Sequence, residues 1–142
     1  MNTNDVICSW VEDSPINSLD LGQSAMDIHK LHAKYINMWS NAKRDLFNAR
    51  AKLKQLKFDK KEFLLNPTKK QMDLGWEIPD RKVIKTEIND YLLGDPHIQK
   101  MEALVAECEN SYEMLQDILK QITNRNWLIQ SAIRDRAFLN GD

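Results

Sequence analysis

The chain has 142 residues, of which 42% are hydrophobic, and a net charge of −1, figures that suit one domain with room for a core. Its apolar runs, such as Phe63-Leu64-Leu65, fall far short of the roughly 20 residues that cross a bilayer, and residues 1–15 have neither the basic flank nor the apolar stretch of an export signal. Cys8 and Cys108 each stand alone, which argues against a zinc knuckle, a redox pair or a disulfide framework.

The near-neutral total hides three unlike segments. Residues 1–29 carry five acidic residues and no Lys or Arg, a net −5. Residues 30–70 carry twelve basic residues against Asp45, Asp59 and Glu62, a net +9, and residues 71–142 return to −5. A basic segment between two acidic ones points to a polyanion partner.

In chain order, residues 1–17 form an acidic arm whose ordering the pattern leaves open. From Ile28 the apolar positions Leu31, Tyr35, Trp39, Ala42, Leu46, Ala49, Leu53, Leu56 and Phe63 follow steps of three and four, with one place missed at Lys60. This predicts a long helix, capped near Ser18 or Asp20, stopped by Asn66-Pro67, and packed against a second long helix. Residues 67–80 read as a loop with a short extended piece around Trp76. Pro79-Asp80 then opens a short connecting helix with Val83, Ile84, Ile88, Tyr91 and Leu92 on one face, ended by Gly94.

Asp95-Pro96 supplies an N-cap and a first-turn proline for the next helix. Its seam, Ile98, Met101, Val105, Cys108, Tyr112, Leu115, Leu119 and Ile122, steps by three and four without a gap. Thr123-Asn124-Arg125-Asn126 breaks it, and a last helix is expected from Trp127. The expected fold is therefore all-α: a long antiparallel helical hairpin over 18–123 with a short connecting helix, and a C-terminal helix over 124–142. That last helix carries Trp127, Ile129, Ile133, Ala137 and Phe138, more apolar surface than a terminal appendage needs. It is expected to be buried in part by another copy of the chain, or else to cap the same hairpin.

Lys43, Phe47, Arg50, Lys54, Lys57 and Lys61 fall at steps of 4, 3, 4, 3 and 4, one stripe beside the apolar seam. Arg44, Lys60 and Phe58 lie close to it. Basic helical faces are usually only solvated, but here few acidic residues are available for i, i+4 pairing, and the like charges repel along the helix. Cations alternating with aromatic rings suit the backbone and bases of a single strand, and no groove-reading motif is present.

Catalytic signals are missing. The glycines at 22, 75, 94 and 141 are isolated, so no phosphate loop forms. His29 and His32 have metal-compatible spacing but no arranged partners, and His97 lies in no nucleophile motif. Neither an enzyme, a metal nor a cofactor is expected.

Four stretches together resemble the phage UvsY recombination mediators: Tyr35-Ile36-Asn37 with Lys43-Arg44, Leu56-Lys57-Phe58-Asp59-Lys60-Lys61-Glu62-Phe63, Lys85-Thr86-Glu87-Ile88 to Gly94-Asp95, and the ending Arg134-Asp135-Arg136-Ala137-Phe138-Leu139-Asn140-Gly141. The resemblance implies binding to single-stranded DNA, contact with a single-stranded DNA-binding protein and with a RecA-like recombinase of the UvsX type, and loading of that recombinase onto covered DNA. It further implies a homo-oligomeric ring of six or seven subunits assembled through the C-terminal part, working in the cytoplasm of an infected host cell. The family's basic motif falls on Lys57 to Phe63, where Phe58 and Lys60 stand at the places of two familiar basic residues and Leu64 follows Phe63 in place of a second aromatic. The contact is therefore assigned to the whole stripe: Lys43, Arg44, Arg50, Lys54, Lys57, Phe58, Lys60 and Lys61. A structural coiled-coil adaptor without DNA affinity is the competing expectation.

Overall fold

A computed structural model describes residues 2–141 and is all-α, with no strand among those residues. In chain order the helices are α1 (Thr3–Asp13), α2 (Leu21–Met26), α3 (Ile28–Leu65), α4 (Lys69–Met72), α5 (Ile88–Leu93) and α6 (Pro96–Leu139). The contacts divide into two units, one holding residues up to Asp45 and those from Glu107 onward, the other Leu46–Ala106. The long helices α3 and α6 contribute to both.

In the first unit, Tyr35 and Met38 of α3 meet Leu115, Ile118 and Ile122 of α6, and Val6 of α1 closes the cluster. Trp39 stacks on Tyr112 at 5.8 Å between ring centroids, while Asp45 lies near enough to act on Cys108, so within this unit the two helices run in opposite directions. Burial pushes the Cys108 thiol up, and Asp45 adds to the effect.

Within the acidic N-terminal stretch, Thr3–Asp13 form α1. Asn2 and Asp5 exchange side-chain-to-amide bonds of 2.9 and 3.1 Å, a capping box that satisfies two otherwise orphaned donors. Val6 is fully buried, which stabilises the packed helix by about 1.5–3 kcal/mol. Trp10 meets the Tyr35 ring edge-on at 5.4 Å. The Thr3 amide donates to Glu107 at 2.8 Å. Val6, Ile7, Trp10 and Val11 fall at helical steps, but only Val6 is deeply buried, and the partners α1 packs against are not written in its own sequence.

In the second unit, Leu46, Ala49 and Phe63 of α3 are buried, as are Val83, Ile88, Ile98 and Val105. Contacts from Lys57 to Glu102 and from Lys60 to His97 show the same antiparallel sense. Asp95 caps α6 by accepting from the amides of His97 and Ile98 at 2.8 and 3.1 Å. Two expectations need correction here. The connecting helix begins only at Ile88, because β-branched Val83, Ile84 and Thr86 disfavour a helical turn and Arg81 bonds Glu87 across the segment at 2.8 Å. The preceding loop contains the short helix α4, and Trp76 meets Phe63 edge-on at 5.4 Å.

A third correction concerns the C-terminal helix, which is not separate: α6 runs unbroken through Thr123-Asn124-Arg125-Asn126. The Thr123 hydroxyl donates back to the Leu119 carbonyl at 3.0 Å, and Arg125 takes the next seam position. Ile118, Ile122, Arg125 and Ile129 follow each other at steps of 4, 3 and 4, and all four are buried.

Candidate nucleic-acid interface

The basic residues of α3 meet different fates. Lys43 and Arg44 lie in the first unit and are exposed; the Lys43 ammonium sits 5.2 Å from the centre of the Trp39 ring, and Arg44 donates to Asn41 at 3.0 Å. In the second unit Arg50, Lys54, Lys57 and Lys61 are all exposed, at the helical spacing that puts them on one face. Lys57 approaches Glu102 at 3.4 Å, with both side chains about half exposed (47% and 50%), so the pair contributes about 0–1 kcal/mol and leaves the cation available. Lys52, Lys54 and Lys61 form no ion pair with any described residue. Asp59, which interrupts the stripe in sequence, accepts from Gln55 at 2.8 Å.

Two aromatic rings accompany these cations. Phe47 is 72% exposed and Phe58 57% exposed, so both rings are open to solvent beside the cations. Ala51, Lys54, Gln55 and Phe58 border a shallow hollow.

Lys60 does not belong to this face. It is 4% exposed, its ammonium is 3.0 Å from Asp95 Oδ2 and 3.0 Å from His97 Nδ1, and it sits 4.0 Å from the centre of the Trp76 ring. Burial works to raise the Asp95 carboxyl, but the bond from Lys60 and the two amides at the α6 N-terminus hold it below the ordinary carboxylate range. The step missed by the apolar seam is thus filled by a cation that has its own acceptors. The gap in the apolar seam at Lys60 is visible in the sequence, but the Asp95, His97 and Trp76 groups that meet the cation there are not.

Arg125 was hidden in the same way. Its guanidinium donates from Nη1 to the Ser14 carbonyl at 2.7 Å and from Nη2 to the Pro15 carbonyl at 2.9 Å. Burial lowers its pKa, although Asp13 and Asp27 act in the opposite direction.

Of the apolar residues near the C-terminus, Trp127, Ile133 and Phe138 are exposed and Ala137 is partly so. Ile129 is not available to another copy: it is fully buried within its own unit. Among the described residues no group of three or more His, Cys, Asp or Glu could hold a metal ion, and no helix is long and apolar enough to cross a membrane.

An all-α chain whose longest basic stretch presents unpaired lysines beside exposed rings falls in the class of helical proteins suited to a flexible polyanion. The family model described as recombination, repair and ssDNA binding protein UvsY matches residues 9–142. The chain belongs to the UvsY family, a family of recombination, repair and single-stranded DNA binding. No curated protein and no solved structure matches it.

Proposed function

We propose that this protein is a recombination mediator that grips single-stranded DNA along the second-unit face of α3 and promotes loading of a RecA-like recombinase onto DNA covered by a single-stranded DNA-binding protein. Membership of the UvsY family carries the reading. The exposed cations Arg50, Lys54, Lys57 and Lys61 beside Phe58 support its DNA contact. The cations neutralise phosphates, and the Phe58 ring, beside its hollow, offers a base a surface to stack on. Lys43 and Arg44 extend the basic character of α3 in the first unit, while Lys60 is left out because its ammonium is already held.

One such face binds weakly, and self-association into a ring of six or seven multiplies it. Linked sites raise avidity by roughly 10²- to 10⁴-fold over a single site. Such a ring holds and bends the strand, weakens the grip of the resident binding protein and presents a surface to the recombinase. The setting is the cytoplasm of an infected host cell.

The test is a fluorescence-anisotropy titration of a labelled single strand at several salt concentrations. With four phosphates neutralised per face, the log-log salt slope per subunit will be about −3. Lys54→Ala, Lys57→Ala and Lys61→Ala combined, at matched oligomeric state, will bind far more weakly and with a shallower slope. Wild-type binding that ignores salt would overturn the electrostatic contact, and no binding at all would favour a structural adaptor.

A further inference from the structure

Phe47 and Phe58 are both open to solvent on α3, within the second unit, and lie eleven residues apart. At 3.6 residues per turn, eleven residues return to the same side of a helix within about 20°, and at 1.5 Å per residue they advance about 16 Å. The two rings therefore stand in one row along the axis. Arg50, Lys54, Lys57 and Lys61 are exposed too, and all four fall to one side of that row, by about 60° on average. On its other side, between the rings, come Asn48, Ala51 and Gln55, which carry no charge. Ala51, Lys54, Gln55 and Phe58 border a hollow of about 350 Å³.

We infer that this face selects single-stranded DNA in its extended, unstacked form, with Phe47 and Phe58 each stacked on a base and about three nucleotides from one ring to the next. The inference rests on the DNA contact in the proposed function and adds to it the conformation of the strand and a second ring, Phe47. From Lys54 through Lys57 to Lys61 the cations advance by about 4.5 and 6 Å, so a strand with one phosphate at each rises about 5 Å per nucleotide. A stacked, duplex-like strand rises only about 3.4 Å per nucleotide. Stretched by about half, neighbouring bases lose contact with one another, and their bare faces need other flat surfaces. The rings supply those surfaces, and the distance of about 16 Å between them is about three such steps.

The lateral arrangement fits the same occupant. Cations on one side and an uncharged hollow on the other suit a strand lying along α3, its phosphates over the lysines and its bases over the rings. The pair of Lys57 with Glu102, at 3.4 Å and half exposed, yields to a phosphate at little cost. A surface that prefers one form of its ligand shifts the ligand toward that form. The protein thus hands on a strand whose bases are already apart.

The experiment compares full-length Phe47→Ala and Phe58→Ala, single and combined, with the wild type by fluorescence anisotropy on oligothymidine, oligodeoxyadenosine and an abasic strand of equal length. Both side chains are exposed, so neither change empties the core. Each variant will bind oligothymidine about fivefold or more weakly, with the wild-type salt slope, and will bind the abasic strand as the wild type does. Two readouts need no variant. The wild type will prefer oligothymidine to the self-stacked oligodeoxyadenosine, and binding will abolish the stacking signal of the latter in near-ultraviolet circular dichroism. An abasic strand with thymine at every third position will outbind one with thymine at every second. Undiminished oligothymidine binding by the variants, a bound oligodeoxyadenosine that keeps its stacking signal, or equal binding of the two spaced strands would overturn the inference. Binding that still weakens with salt and with the lysine substitutions would in those cases leave the proposed function standing, whereas a wild type that binds no single strand would end both.

Discussion

Each of the two units buries one cation on a helical seam, and the two solve the problem in different ways. In the second unit the Lys60 ammonium, a compact charge, is met by the carboxylate of Asp95, the imidazole of His97 and the face of Trp76. In the first unit the planar guanidinium of Arg125 bridges two neighbouring backbone carbonyls, Ser14 and Pro15, and no carboxylate among the described residues pairs with it. An ammonium needs a counter-charge to compensate lost hydration, whereas the weakly hydrated guanidinium accepts neutral oxygens if its fork fits them. Lys60 therefore ties its helix to a charge, and Arg125 ties its helix to a stretch of backbone.

The two buried cations differ most in what removal of a partner costs, and Asp95 is the partner with most to lose. Asp95→Ala leaves a buried ammonium without its carboxylate and α6 without its N-cap, and will destabilise the protein by about 3 kcal/mol, with about 1 more from the cap, in urea unfolding. A cost under about 1 kcal/mol would mean that His97 and Trp76 suffice.

Arg125→Met will cost less, about 2 kcal/mol, because it leaves two carbonyls short of donors but no unpaired charge. Arg125→Lys will not restore the loss, since a single ammonium cannot reproduce the fork. Full rescue by lysine would remove the distinction between the two sites.

The smallest effect is a pH dependence. Asp95 and Asp13 both titrate below the ordinary carboxylate range. For Asp13, burial acts upward, but the bonds from Lys34 and Tyr35 outweigh it. A depressed folded-state value contributes stability that is fully present above the unfolded carboxylate pKa of about 3.9 and is lost as pH falls through the folded value. Stability followed by circular dichroism will thus decline below about pH 4, and Asp95→Asn, which keeps a capping side chain, will flatten that decline. The Tyr35 hydroxyl, pushed up to about 12 chiefly by burial, plays no part in that range.

Much of this protein was legible in one dimension. Steps of three and four placed α3 and the first half of α6, Asn66-Pro67 ended one helix and Asp95-Pro96 began the other, because helix periodicity and capping are local physics. The match to the UvsY family likewise lies in the residues themselves. Tertiary structure decided what local rules cannot reach. Whether Lys60 faces solvent or Asp95 depends on a residue 35 positions away, and Arg125 breaks or continues a seam according to where the carbonyls of Ser14 and Pro15 lie. Polar residues in a seam look the same in sequence whether they end a helix or are satisfied inside it. Only the groups brought to them by the fold, against the desolvation cost of leaving them unmet, separate the two.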